Sequence, residues 1–253
     1  KTKADYSDLR FTTTDNVLLP YWIELANASS AAIWGKVPVI PTTGTQLFLY
    51  YDNSGAMAVS DGDATFPLFD DFPGSSLNTE KWTSTDRVTV SDGMCTISAT
   101  SNTAKYIQSI TQFGTGYSAR IRWMMPTERD DILHGFYSGE NYRALLYYHN
   151  GKSYMTSITG DSTSNRQSHS NPYTSYATWE VRRASQTTVQ FVYNDGTPTN
   201  VTSKVPTVDM PLSCRVKNPP GSGTTTSSID WVLVRRYSET PPAVASWGAE
   251  EAE

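Results

Sequence analysis

The chain has 253 residues, of which 38% are hydrophobic and 18% charged, and its formal net charge is −5. That is an ordinary globular balance; it argues against a nucleic-acid scaffold, and no apolar stretch has the length of a membrane-crossing helix. Thr, Ser, Asn and Gly crowd the sequence, and 15 Tyr and 7 Trp accompany 8 Phe, a mixture that favours strands joined by turns.

In chain order almost every readable element is a strand. "LPYWIEL", "AAIWGKVPVI" and "TQLFLYYD" are short β-rich runs separated by "ANASS" and "PTTG". A polar patch, "NSGAMAVSDGDAT", follows, and the pattern restarts at Phe66-Pro67-Leu68, which places a boundary at residues 64 to 68. The restart leads into "FDDFPGSSLNTEKW", whose second half has room for one helical turn. Then come "RVTVSDGMCTISAT", "AKYIQSI", "YSARIRWMM", "ILHGFYS", "YRALLYYHNGKSYMTSI", "TWEVRRAS", "TVQFVYND", "LSCRVKN" and "IDWVLVRRY". The Asn150-Gly151 pair between aromatic runs is a hairpin signal. Strands at this spacing imply an all-β sandwich or jelly roll. The tail after Tyr237 begins with a Pro-Pro break and ends acidic, which reads as a linker or as a segment docking through Trp247.

Charge is uneven. Residues 1–90 hold 6 Lys or Arg against 11 Asp or Glu, whereas residues 119–237 hold 13 against 9. Arg120, Arg122, Arg143, Arg182, Arg215 and Lys217 fall inside predicted strands, either as a solvated sheet face or as a cationic groove for an anionic glycan. Cys95 and Cys214 alternate with apolar neighbours and read as buried free thiols, with a disulfide across the core as the alternative. No Cys/His cluster has zinc spacing. The sequons at Asn27 and Asn200 lean toward an extracellular or cell-surface protein. The chain opens on Lys1, as a processed product or excised fragment does.

The phrases "ADYSDLRFTTTDNVLLPYWIE", "IWGKVPVIP" and "TQLFLYYDNSGA" resemble a domain of unknown function in archaeal and bacterial surface and secreted proteins. That domain commonly precedes a concanavalin A-like (laminin G or glucanase-like) jelly roll. "FPLFDDFPGSSLNTEKW", "VSDGMCTIS" and "SIDWVLVRRY" resemble the second part. The resemblance implies a small β-sandwich-type domain over residues 1–65, a concanavalin A-like jelly roll over 66–238 and a tail over 239–253. The family's first domain usually has further strands before the "DYSDLRF" phrase, so either a strand donated by another chain or segment, or tight packing of the remainder on the second domain, is expected here.

Hydrolases of this jelly roll carry Glu-x-Asp-x-x-Glu on one strand, because alternate strand positions share a face and retaining chemistry needs two close carboxylates. This chain lacks the pattern. The nearest cluster, Glu128, Asp130 and Asp131, has the wrong spacing; Glu180 is single beside Arg182, and Glu140 sits in a turn. Jelly-roll lyases instead use Tyr and His with a cation that neutralises a uronate. "LHGFY" and "YRALLYYHN" offer His134, Tyr137, Arg143, Tyr147 and His149 for that chemistry, with Arg143, Tyr147 and His149 at even spacing on one face. Binding alone needs aromatic faces and polar forks. The candidates are Arg122, Trp123, Tyr142, Arg143, Tyr147, Tyr148, Glu180 and Arg182, with Tyr147 and Tyr148 pointing to opposite faces. Trp82, Trp179, Phe191 and Trp231 are expected in the core, and His169 in a loop.

The resemblance also implies one structural Ca2+, held by Asp70 or Asp71, Gly93 and Asp230; calcium takes several oxygens in flexible geometry. The functional expectation is a non-catalytic extracellular module that binds a polysaccharide or glycoprotein glycan in adhesion. The alternatives are a lyase or hydrolase acting on an anionic glycan and a subunit of a surface filament.

Overall fold

The computed structural model describes residues 2–125, 131–149, 152–159, 165–170, 173–218 and 223–250. Glu128, Asp130 and the Asn150-Gly151 turn lie outside the described residues. The chain divides into two compact units, residues 1–65 with 238–253 and residues 66–237. Among the described residues no helix is long and apolar enough to cross a membrane.

The first unit holds β1 (Arg10–Thr13), β2 (Tyr21–Ala26), β3 (Ala31–Gly35), β4 (Leu47–Tyr50) and one helical turn, α1 (Gly62–Thr65). The turn forms where Asp61 caps it, its Oδ1 accepting from the Ala64 amide at 2.9 Å; the stretch from Ser76 to Trp82 makes only a hydrogen-bonded turn around Asn78. β1 pairs with β4 and β2 with β3, each antiparallel. Tyr21 ties the unit together: its hydroxyl donates to the Leu9 carbonyl at 2.8 Å, and its ring meets Phe11 edge-on at 5.2 Å. Val39 and Ile40, read above as strand, follow β3 and are exposed. All four residues of β4, Leu47, Phe48, Leu49 and Tyr50, are also exposed.

The second unit is a sandwich. Its strands are β5 (Leu68–Asp70), β6 (Trp82–Ser84), β7 (Val88–Ser91), β8 (Met94–Ala99), β9 (Lys105–Phe113), β10 (Tyr117–Met124), β11 (Ile132–Tyr137), β12 (Tyr142–His149), β13 (Lys152–Thr159), β14 (Asn165–His169), β15 (Ala177–Ser185), β16 (Thr188–Tyr193), β17 (Thr199–Val201), β18 (Met210–Val216) and β19 (Thr225–Arg236). One sheet runs β17-β16-β15-β10-β19-β8-β7, with β5 also pairing β19; the other runs β14-β13-β12-β11-β18-β9-β6. Alternation fixes which side chains enter the core. β8, "MCTISA", buries Cys95, Ile97 and Ala99 and leaves the residues between them half-buried. Trp82, Trp123, Trp179, Phe136, Phe191, Ile107 and Leu212 fill the space between the sheets. Cys95 and Cys214 are free thiols buried there, and burial pushes the Cys95 thiol up to about 12.

Trp231 is buried as expected, but outside the cluster between the sheets. β19 carries an irregularity that passes Asp230, because Arg122 pairs with Trp231 while Trp123 pairs with Ile229. Paired residues share a face, so Trp231 joins Arg122 on the outward side, where the Arg120 guanidinium lies 6.0 Å from its ring.

The opening stretch forms a clasp. Asp70 is buried; its Oδ1 accepts from the Phe72 amide at 2.8 Å and its Oδ2 from the Trp82 indole Nε1 at 2.7 Å. Phe72 takes a left-handed backbone, φ 53°, to close the turn, and Lys81 Nζ donates to the Phe69 carbonyl at 2.9 Å.

Candidate functional site: the outward face of the seven-stranded sheet

β11 turns Ile132 and Phe136 into the core and Leu133, Gly135 and Tyr137 outward. Register carries that outward face across five strands. Leu133 pairs with Tyr147 on β12 and with Arg215 on β18; Tyr147 pairs with Tyr154 on β13, and Arg215 with Tyr106 on β9. Tyr106, Arg215, Leu133, Tyr147 and Tyr154 therefore form one row perpendicular to the strands. Four inter-strand steps make it about 19 Å long. The next row is Gln108, Ser213, Gly135, Leu145 and Thr156. Gly135 is required there: at φ 144° an added Cβ would stand 2.5 Å from the Ala144 carbonyl oxygen.

Two polar clusters flank the row. Asp131 Oδ1 accepts from the Tyr147 hydroxyl at 3.0 Å and lies 2.5 Å from His149 Nδ1. The Tyr147 and His149 rings stack at 5.3 Å and 16°. At the other flank Glu140 accepts from the Tyr137 hydroxyl at 2.8 Å and from Arg143 Nη1 at 2.9 Å. Burial works to raise the Glu140 pKa, but the Tyr137 hydroxyl and the cations Arg143, Lys217 and Arg215 outweigh it and hold the carboxyl below its ordinary value. Arg215 itself sits between rings, 3.9 Å from the centre of Tyr137 and 5.6 Å from that of Tyr106.

The sequence-predicted residues separate into three places. Arg143, Tyr147 and His149 lie on this face. His134 does not: it points into the core with no exposure, Nδ1 on the Leu133 carbonyl at 2.9 Å and Nε2 on Ser227 Oγ at 2.8 Å, with Trp123 edge-on at 4.4 Å. Burial lowers its pKa to about 4, so it leaves the acid–base set. Trp123 and Tyr142 leave the binding set for the same reason, since Trp123 is 2% exposed and both pack into the core cluster. Tyr148 is likewise core, meeting Tyr173 edge-on.

Arg122, Glu180 and Arg182 stand on the outward face of the other sheet, where four arginines are paired to three carboxylates. Glu180 is 1% exposed and accepts from Ser118 Oγ at 2.6 Å, Arg182 Nη2 at 2.8 Å and Arg235 Nη2 at 2.6 Å. Desolvation opposes ionisation of Glu180, yet Arg235, Arg182 and Ser118 keep its pKa below the usual carboxylate value. Arg120 holds Asp195 through two hydrogen bonds of 2.7 and 2.9 Å, and Arg122 pairs with Asp230. This closed network leaves Glu180 no free oxygen pair for a sugar. The residues the sequence reading missed are Arg215 as a partner of Tyr137, and Tyr106 and Tyr154. Alternation showed Arg215 in a strand, but its neighbours come from strands far away in the chain.

The expected calcium ligands also resolve. β19 pairs with β5 through Val232 and Asp70 and with β8 through Ile229 and Cys95, so Asp230 lies near both the Asp70-Asp71 turn and the Gly93 turn. The donor set does not fit the ion. Both Asp70 oxygens already receive N–H donors, and Asp230 faces the Arg122 guanidinium, whereas calcium takes six to eight oxygens. Among the described residues no three His, Cys, Asp or Glu side chains gather as a metal-binding group.

Comparison with known proteins places these features in a fold. Residues 5–85 match the family described as Domain of unknown function (DUF2341), so the match runs past Thr65 and takes in β5 and β6. No curated protein matches the chain. Among solved structures, the pseudo beta-1,3-glucanase and immunostimulatory antigen of Mycobacterium tuberculosis is similar with a TM-score of 0.56 at 13% identity, over 68% of this chain and 99% of that one. A beta-1,3-glucanase from Mycobacterium marinum is similar at 0.52 and 16% identity, over 67% and 98%. The Bacillus licheniformis beta-glucanase is similar at 0.52 and 11%, over 67% and 98%. The chain is therefore all-β, with a glucanase-like, concanavalin A-like jelly roll.

Proposed function

We propose that the jelly roll is a non-catalytic, extracellular glycan-binding module and that the row Tyr106–Arg215–Leu133–Tyr147–Tyr154 is its platform. The observation that carries this reading is the row itself, aligned across five strands on one outward face: Leu133 and Tyr147 are buried at its centre, and Tyr106, Arg215 and Tyr154, half-buried, are the groups a ligand would reach. Aromatic faces take the C–H edges of sugars, and guanidinium forks take their oxygens. The fold shared with glucanase-type proteins supports a sugar as the ligand class. The outward positions of β11 are Leu133, Gly135 and Tyr137, none of them a carboxylate. The experiment is a glycan array on the full chain, with parallel assays for new reducing ends and unsaturated products. Binding without product is expected, and binding that survives Tyr106→Ala with Tyr154→Ala would sink the platform.

One observation favours a second reading, a lyase. Tyr147 and His149 meet on one oxygen of Asp131. The phenol, however, donates to Asp131, so its proton is committed within the protein. Unsaturated product that disappears in Tyr147→Phe would select the lyase.

For the first unit we propose that β4 accepts a strand from a neighbouring chain, as an adhesive or filament-forming contact. Support comes from its four exposed apolar residues and its pairing with β1 alone among the described strands. Light scattering is expected to show concentration-dependent association that Leu49→Lys removes; a monomer at all concentrations would refute it.

A further inference from the structure

We infer that the platform reads an anionic sugar and that Arg215 is the residue that binds its oxyanion, a carboxylate or a sulfate. This rests on the glycan-platform reading above and adds the charge of the ligand to it.

The inference comes from how differently the two outward faces treat their arginines. On the eight-stranded sheet Arg120, Arg122, Arg182 and Arg235 each meet a carboxylate: Asp195, Asp230, or Glu180 for the last two. On the seven-stranded sheet Arg143 meets Glu140, but Arg215 meets only rings. Among the described residues it has no ion-pair partner and no hydrogen-bond acceptor, and its Nε is buried with none. A half-buried guanidinium 3.9 Å from the Tyr137 ring centre and 5.6 Å from that of Tyr106 has lost part of its water, and the rings return only part of that loss. The fork of N–H donors along its edge remains available, and that edge is what a carboxylate or sulfate engages through two parallel bonds.

The surroundings have the right sign. Arg143, Arg215 and Lys217 all act on the carboxylate of Glu140 at one flank, and Asp131 supplies a second carboxylate at the other. Lys217 follows Arg215 at the next outward position of the chain, and its amide donates to the Asp131 carbonyl at 2.7 Å. An anion would give the Arg215 guanidinium the acceptor it lacks among the described residues, whereas a neutral sugar would supply no opposite charge. The tyrosines of the row supply the stacking surface beside the fork, so ring and charge of one anionic sugar residue are met together.

The test is titration of the full chain with two charged polysaccharides and their neutral counterparts: polygalacturonate against its methyl ester, and dextran sulfate against dextran. The inference expects at least one charged member to bind about tenfold or more tightly than its counterpart. The polygalacturonate arm reports a carboxylate and the dextran sulfate arm a sulfate. Arg215→Gln should abolish the preference, while Arg122→Gln, the same charge change on the other sheet, should keep it. Arg215→Lys, which retains charge and loses the fork, should weaken the preference and serves as the decisive variant if Arg215→Gln fails to fold. Equal binding of charged and neutral members, binding confined to uncharged sugars, or a preference that survives in Arg215→Gln would overturn the anion assignment and leave the platform standing. Failure to bind any glycan on a broad array removes both.

Discussion

Asp70 serves two donors at once, a backbone amide two residues ahead and an indole twelve residues ahead. Removing it leaves the Trp82 Nε1 without a partner in the core, where an unsatisfied donor costs about 1–3 kcal/mol. Asp70→Ala should therefore lower unfolding free energy in urea by about that amount, and Asp70→Asn, which keeps an acceptor, by less. Calcium and chelator should give superimposed melting curves for the parent chain, because both Asp70 oxygens already receive N–H donors and Asp230 is paired with Arg122. A calcium-dependent rise in Tm would return both residues to a metal site. Gly135 makes a sharper case. Any side chain there strikes the neighbouring strand, so Gly135→Ala should cost about 2–4 kcal/mol, read from the same denaturation curves.

At the scale of the strand, β11 explains both what alternation reveals and what it hides. Within β12 the period of two correctly separates Tyr147 from Tyr148 and keeps Arg143 with His149. Between strands it is silent, because register decides which residue stands opposite. His134 neighbours Leu133, the true partner of Tyr147, and that one-residue offset sends it to the other face. Trp231 lies outside the cluster between the sheets for the same cause, an irregularity in pairing that no local pattern announces. The strand-rich architecture was legible because burial pattern and turn residues repeat along the chain. The row on the outward face was not, because Tyr106, Arg215 and Leu133 are far apart in sequence. His134 also carries a measurable consequence. Its folded pKa is about 4 against an ordinary 6.5, so between those values the unfolded chain takes up a proton that the native core refuses. Its contribution is complete above about pH 6.5 and is lost as pH falls toward 4, at up to about 1.4 kcal/mol per pH unit. His169, lowered to about 4 by burial, acts in the same window. His134→Gln should show a shallower loss of stability between pH 6.5 and 4.5 than the parent; an identical slope would mean that the buried imidazole titrates normally.

For the molecule as a whole, the two sheets divide labour. The eight-stranded sheet closes its outward charges into ion pairs, and the seven-stranded sheet keeps a row of rings with a guanidinium whose donors face no carboxylate. A fold that is common to many activities thus acquires a direction from a few non-local neighbours. The first and last strands of the sandwich add a property of another kind. β5 lies antiparallel to β19, with Leu68 opposite Val234, so the chain goes in and comes out of the sandwich side by side. Tension applied between residues 66 and 237 would load those hydrogen bonds one after another, as a zipper, rather than all together in shear. Single-molecule pulling from these two points should detach β5 at low force and withdraw Asp70 from Trp82 before the rest yields. A chain exposed to drag would then release length at one end of the sandwich before the seven-stranded sheet is disturbed.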